Sequence, residues 1–192
     1  MKKFLLFTVV ILMITGTAFA TGNAIAFGTN PASQTMPVQV LLPKIVFIHV
    51  DNASHQVTFD FSTMTNYPDT TNAYPWWYLP TDPASPNVNV RVWTNDNDGY
   101  TLTVKGDQDF ANELPLTDLY YAGAGEAKTA NGSAAAGGNW TAFSTTDQTI
   151  ADVNAKTNGF ENYDQDYELK IDGDENAGTF NTVTITYTIT GK

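Results

Sequence analysis

The sequence predicts an all-β protein, an antiparallel β-sandwich of immunoglobulin-like type with about eight or nine strands and two long loops. Short runs of β-branched and aromatic residues alternate with polar ones, as in strands with one buried face. Clusters of Asp, Asn, Gly and Pro separate these runs and supply turns. No amphipathic helical pattern of useful length follows Ala20. Together these observations favour a sandwich over a helical or mixed fold.

The chain begins with a pattern typical of a secretory signal peptide, in residues 1–20. Met1-Lys2-Lys3 is basic, an apolar run extends to about Ile14, and small residues at Ala18 and Ala20 mark the expected cleavage site. The apolar run is shorter than the ~20 residues that a membrane-spanning helix needs. We therefore expect a secreted protein, extracellular or at the cell surface, with periplasmic transit if the source has two membranes. No integral membrane span is expected after cleavage.

The next segment, residues 21–36, is small and polar and is expected to form a flexible N-terminal arm. The predicted domain organisation is therefore signal peptide, arm, and a single sandwich domain over 37–192. Strands are predicted at 38–42 and 45–50, where apolar runs flank a proline. The alternation of apolar and polar residues over 57–61 predicts a further strand.

A proline-rich stretch, residues 63–86, predicts the first long loop because it carries five of the nine prolines. This loop contains the aromatic residues Tyr74, Trp76, Trp77 and Tyr78. Flat aromatic faces stack on sugar rings, so these four residues are the candidate glycan-binding site. The competing interpretation is that the rings cover an open end of the sandwich.

Two alternating runs meet at a turn of sequence Asn95-Asp96-Asn97-Asp98-Gly99. Residues 88–92 precede the turn and residues 100–104 follow it, each with apolar residues at every second position. An Asp-Gly turn between two such runs is a strong local hairpin signal. The sequence therefore predicts a β-hairpin across Gly99.

The C-terminal half predicts short strands separated by a second long loop. Strands are expected at 114–121 and 140–143, an Ala/Gly-rich loop at 122–138, and one helical turn over 149–157. A strand at 167–171 and an acidic turn then lead to the last strand. In that strand apolar residues face one way and threonines the other: Val183, Ile185, Tyr187 and Ile189 against Thr182, Thr184, Thr186, Thr188 and Thr190.

The residues that carry chemistry predict no enzyme, no metal site and no cofactor. The chain has no cysteine, and His49 and His55 are its only imidazoles. Neither histidine has the spacing of a catalytic or metal-binding motif. The acidic turns at 95–99 and 172–175 invite a test for calcium, but they lack the EF-hand spacing and ordinary turn chemistry accounts for them. A formal charge of −11 disfavours nucleic acid and anionic membranes as partners.

Two segments resemble bacterial secreted sandwiches of the pilin type. The end of the chain, Ala177-Gly178-Thr179-Phe180 followed by alternating Val/Ile and Thr up to Thr190, is similar to the last strand of spore-coat-U-like and archaic chaperone–usher subunits. The run from Asp98 to Val104 is similar to a middle strand of the same families and of WxL-type surface proteins. The resemblance implies a structural or adhesive surface protein, with assembly by strand addition as one mode.

The sequence thus leads to an exported, non-enzymatic structural or adhesive protein of the cell surface, with a filament or fimbrial subunit assembled by strand addition as its specific form. The expected partners are further copies of the chain or other surface proteins. The alternative is a secreted carbohydrate-binding module that uses the aromatic loop of Tyr74 to Tyr78. A third interpretation, an enzyme with a carboxylate pair assembled across loops, has no motif in its favour.

Overall fold

The computed structural model describes residues 38–51, 56–81, 87–123 and 139–192. The chain divides into two compact units, Met1–Leu42 and Pro43–Lys192. The described part of the second unit contains ten strands: β1 (Val46–Asp51), β2 (Trp76–Tyr78), β3 (Asn87–Thr94), β4 (Tyr100–Gly106), β5 (Leu119–Gly123), β6 (Thr141–Ala142), β7 (Gln148–Val153), β8 (Glu161–Asn162), β9 (Gln165–Ile171) and β10 (Ile185–Gly191). A 3-10 turn, Leu116–Asp118, precedes β5, and no α-helix occurs among the described residues. The predicted all-β antiparallel sandwich is confirmed.

The strands form two antiparallel sheets. The larger has seven strands in the order β1-β3-β9-β5-β6, with β2 paired to β9 and β8 paired to β3. The smaller has three strands in the order β10-β4-β7. The strand β9 is central because β5 pairs along one of its edges, while β2 and the start of β3 share the other.

The core lies between the inward faces of the two sheets. Alternation places Val90 and Val92 of β3 on one inward face and Leu102 and Val104 of β4 on the other, all four fully buried. Phe143 belongs to the same core, is fully buried, and stacks on Tyr167 with ring centroids 5.4 Å apart. Each such apolar side chain stabilises the fold by about 1.5–3 kcal/mol when buried.

The predicted hairpin across Gly99 is wrong. The strands β3 and β4 lie in different sheets, since β3 pairs with β1, β8 and β9 while β4 pairs with β7 and β10. The turn between them therefore carries the chain across the core. Gly99 is required there because its φ is +93° and a Cβ atom would lie 1.9 Å from the carbonyl oxygen of Val153. The predicted turn is present, but two alternating strands joined by a turn can face each other across a core as well as pair side by side.

Three other local predictions differ from the structure. The helical turn predicted over 149–157 is wrong, because Gln148–Val153 is strand β7, paired with β4 through an irregularity next to Leu102. Trp76–Tyr78, predicted as part of a loop, is a buried strand because it pairs with the C-terminal end of β9. The segments 38–42 and 57–61, predicted as strands, have no strand pairing. The predicted signal peptide and the arm at 21–36 lie outside the described residues.

Candidate functional site

The most distinctive surface of the sandwich is an apolar cleft between the two sheets, which we call the edge cleft. Val50 of β1 lies on one of its rims and Ile185 of β10 on the other. At the opposite end of these strands a Cβ atom on Gly191 would lie 3.2 Å from Cγ1 of Val46, so there the two strands touch. The cleft encloses about 630 Å³. Its lining is mainly apolar and includes Phe59, Phe61, Phe110, Phe180, Val183 and Tyr187.

Both rims of the edge cleft are strands at the edge of a sheet. Within the described residues, β1 pairs only with β3 and β10 pairs only with β4. Each strand therefore has one edge whose backbone N–H and C=O groups are not used by a sheet partner. An edge of this kind is a template for an incoming strand.

The inward face of β1 is incompletely covered. Val46 and Val50 alternate with the same period as Ile48, which packs against the core, yet they remain 39% and 43% exposed. Inward positions of a sandwich are normally covered by side chains from both sheets. The exposure of these two valines thus marks apolar surface that the described residues leave unfilled.

The floor of the edge cleft is a tyrosine pair that joins the two sheets. The hydroxyls of Tyr167 on β9 and Tyr187 on β10 are 2.7 Å apart. Burial raises the pKa of Tyr167, and burial together with the neighbouring Tyr167 raises the pKa of Tyr187 well above its usual range. Both phenols are therefore neutral at physiological pH, and the cleft has an uncharged floor suited to apolar side chains.

The point at which the chain enters β1 is held by polar contacts. Asn95 Nδ2 donates a hydrogen bond to the carbonyl oxygen of Pro43 at 2.8 Å. Lys44 Nζ lies 2.9 Å from Asp96 and 2.7 Å from Asp98. These bonds to Asp98 and Asp96 raise the pKa of Lys44, and the bond from Lys44 lowers that of Asp96. The chain is thereby fixed at the end of β1 that is remote from the edge cleft.

The described residues just before this point are apolar and exposed. Val38, Val40, Leu41 and Leu42 are 67–78% exposed, and they belong to the unit Met1–Leu42. Val38, Val40 and Leu42 fall at every second position, as the inward residues of a strand do. A segment with this pattern has one face ready to be buried.

The aromatic residues predicted to bind glycan are for the most part covered. Trp76, Trp77 and Tyr78 on β2 are 5%, 9% and 0% exposed, whereas Tyr74 is 49% exposed. Trp76 Nε1 donates to the carbonyl oxygen of Asn72 at 2.9 Å, and burial raises the pKa of Tyr78 to about 12. Tyr74 stacks on Trp76 with ring centroids 4.0 Å apart. Glycan stacking at this loop stays a prediction, and Tyr74 is the ring through which it would act.

Two compact clusters of polar side chains lie within the sandwich. In one, Lys170 Nζ lies 2.8 Å from Asp118 and 2.7 Å from Asp172. Burial raises the pKa of Asp118, and the hydrogen bond from Lys170 only partly offsets this rise. Burial lowers the pKa of Lys170, but its hydrogen bonds to the two carboxylates outweigh that effect, so the pKa of Lys170 is raised. The ammonium between the acids makes this a structural ion-pair cluster.

A second cluster joins the two sheets. The hydroxyl of Tyr100 on β4 is 2.6 Å from Glu161 Oε2 and 2.6 Å from the hydroxyl of Tyr163. Burial, followed by the hydrogen bond to Glu161, raises the pKa of Tyr100. The two phenols and the carboxylate satisfy one another, so this cluster too has the partners that a structural role requires.

The histidines lie apart from these clusters. His49 is exposed on β1 with Nε2 4.0 Å from Asp51, and His55 lies outside the described residues. No grouping of three or more His, Asp or Glu side chains suited to a metal ion is found in the described parts of the chain. Nor does any helix there have the length and apolar character to cross a membrane.

Sequence reasoning did not find the edge cleft. The alternation of β10 predicted an inward apolar face, but it did not show that the opposite rim would be β1, a strand far away in the chain. In comparisons with protein-family models, curated proteins and solved structures, nothing matches this chain.

Proposed function

We propose that this chain is an exported structural or adhesive protein of the cell surface, and that it forms filaments by adding a strand of one copy to the edge cleft of the next. The observation that carries the proposal is the cleft itself, an apolar opening between two strand edges, β1 and β10. The segment of the chain that would enter it is Val38–Leu42 with the residues preceding it.

The entering segment has the required chemistry. Its apolar residues alternate, so one face would be buried between the sheets while its backbone pairs with an open edge. Five residues span about 17 Å, the length of an average strand. Both the segment and the cleft are uncharged in their central parts, so burial has no charge to desolvate.

The anchor at Pro43 and Lys44 supports insertion into another copy. It holds the chain just before β1, whereas the edge cleft opens at Val50, about 20 Å beyond Lys44 along the extended chain. The segment continues from the anchored end. A neighbouring copy can receive it without the chain having to turn back along β1.

Polymerisation of the secreted protein tests the proposal. Electron microscopy and light scattering should show filaments for the natural chain and monomers for Val40→Asp, because a charge placed in the cleft is costly. Gln39→Asp is the matched control, since it adds the same charge on the opposite face of the segment, and it should polymerise normally. Deletion of residues 21–36 tests the arm that precedes the segment.

Circular dichroism of the monomeric variant should retain the strand signal of the natural chain. Filaments formed equally well by V40D would refute strand addition through this segment. A natural protein that is strictly monomeric and absent from surface fractions would refute the filament proposal as a whole.

The second candidate, a carbohydrate-binding module, is favoured by one observation: Tyr74 presents a half-exposed ring stacked on Trp76. Glycan-array binding that disappears in Tyr74→Ala would support it. Changing Trp76 or Trp77 would be less informative because both side chains are part of the buried structure. Array binding that is unaffected by Y74A would exclude this loop.

A further inference from the structure

A second surface of interest lies on the outer face of the larger sheet, where β1, β3 and β8 are adjacent. Because Val90 and Val92 of β3 point into the core, Arg91 and Trp93 point outward. The register sets Trp93 opposite Phe47 of β1, and it sets Arg91 between His49 of β1 and Asn162 of β8. We call this surface the arginine face.

The arginine face has an apolar row and a polar row. In the first, Phe47 and Phe160 form an edge-to-face pair with ring centroids 5.6 Å apart, and they are 44% and 61% exposed. In the second, His49, Arg91 and Asn162 are exposed side by side on three adjacent strands. Exposed aromatic rings beside planar hydrogen-bonding groups are typical of binding surfaces.

Arg91 is unusual in charge as well as in position. It is the only arginine of a chain with twenty acidic residues. Four of the five lysines in the described ranges, Lys44, Lys105, Lys170 and Lys192, are paired with carboxylates, and the fifth, Lys156, lies in the loop between β7 and β8. Arg91 makes no ion pair with any described residue, so its guanidinium is available to an external anion, which it can bind through two parallel hydrogen bonds.

We propose that the arginine face binds a polysaccharide containing uronic acid. Arg91 would hold the carboxylate of one sugar, Asn162 and His49 would bind neighbouring hydroxyls, and Phe47 and Phe160 would pack against the apolar face of the ring. The flatness of a sheet face suits an extended polymer, whereas small ligands favour concave pockets. A peptide would gain little here, because it binds sheets by pairing with an edge or by filling a groove.

Affinity electrophoresis of the full secreted chain through gels that contain polygalacturonate tests the proposal. Arg91→Gln should weaken retention about tenfold or more, as expected for loss of hydrogen bonds to a charged group. Phe160→Ser should also weaken it, and its fold should be unaffected because the ring is mostly exposed. The methyl-esterified polymer, which has the same backbone without the charge, should be retained weakly by all variants.

Two controls separate this site from the rest of the protein. Lys105→Gln removes the same charge from the smaller sheet and should bind polygalacturonate normally, as should Tyr74→Ser in the aromatic loop. Equal retention of R91Q and the natural chain, or no retention by polygalacturonate at all, would overturn the proposal. It would also be overturned if R91Q changed self-association and left polysaccharide binding intact, since the arginine face would then be a protein interface.

Discussion

The tyrosine pair at the floor of the edge cleft allows a quantitative test of how the two sheets are joined. Tyr187→Phe removes one hydroxyl and leaves the hydroxyl of Tyr167, a 3% exposed residue, without its partner at 2.7 Å. Loss of this hydrogen bond should lower the free energy of unfolding by about 1–2 kcal/mol. We do not expect a larger loss because Tyr187 itself is only partly buried. For a domain of this size that corresponds to a fall in Tm of about 3–6 °C.

The double variant Tyr167→Phe with Tyr187→Phe should be no less stable than Tyr187→Phe alone. Removing both hydroxyls leaves no unpaired polar group, so the two single effects should not add, and the coupling between them should be about 1 kcal/mol. Urea unfolding of the four proteins at pH 7 measures it. Tyr74→Phe, which alters an exposed tyrosine, is the control and should stay within about 0.5 kcal/mol of the natural chain. Strictly additive effects would show that the hydrogen bond contributes nothing to holding the sheets together.

Three further predictions concern the rest of the sandwich. Burial raises the pKa of Tyr78 from 10.0 to about 12, so the stability that the neutral phenol gives the fold is fully present below pH 10 and is lost as pH rises through 12. Urea unfolding at a series of alkaline pH values, followed alongside tyrosinate absorbance, should show this loss, and a free energy of unfolding unchanged up to pH 12 would contradict it. Gly99→Ala should lower the free energy of unfolding by more than about 1 kcal/mol, because φ is positive at this position and the added Cβ would collide with the carbonyl oxygen of Val153. Gly123→Ala, with open space around it, should leave stability nearly unchanged in thermal unfolding. Lys170→Met should lower the free energy of unfolding by about 2 kcal/mol or more, because it leaves the buried carboxylate of the 3-10 turn without a cation. Lys105→Met removes an exposed ion pair and should lower it by less than about 1 kcal/mol. Similar losses for the two variants in urea unfolding would refute the distinction.

Local sequence patterns predicted most of the strands but not their partners. The alternation in β3, β4 and β10 is correct because it reports which side of a strand is buried, a property set within the strand. The hairpin was wrong because the same alternation arises whether two strands pair or face each other across a core. Trp76–Tyr78 was missed as a strand because its ladder is supplied by β9, almost a hundred residues later, and not by its neighbours in the chain.

The sequence likewise predicted only part of each candidate site. Tyr74 and the tryptophans were found because aromatic clusters are visible in a sequence, but burial, which decides which ring can touch a ligand, depends on β9 and on the packing around it. Arg91 was visible as the only arginine, yet its meaning depends on the register that brings His49 and Asn162 beside it. The edge cleft combines residues from distant parts of the chain, so no local pattern could indicate it.

The crossing of the core at Gly99 also has a kinetic consequence. Among the described strands, only β5 and β6 pair with a neighbour in chain order, and every other ladder joins strands that are separated by at least one more. The central strand of the smaller sheet, β4, has both of its partners later in the chain, and the second of them is β10, the last strand. Folding must therefore close long loops before most hydrogen-bonded pairs can form, which places this domain among the slow, millisecond-to-second folders. Until β10 arrives, β4 keeps an open edge of its own, and this interval is when the chain is most exposed to pairing with the wrong strand.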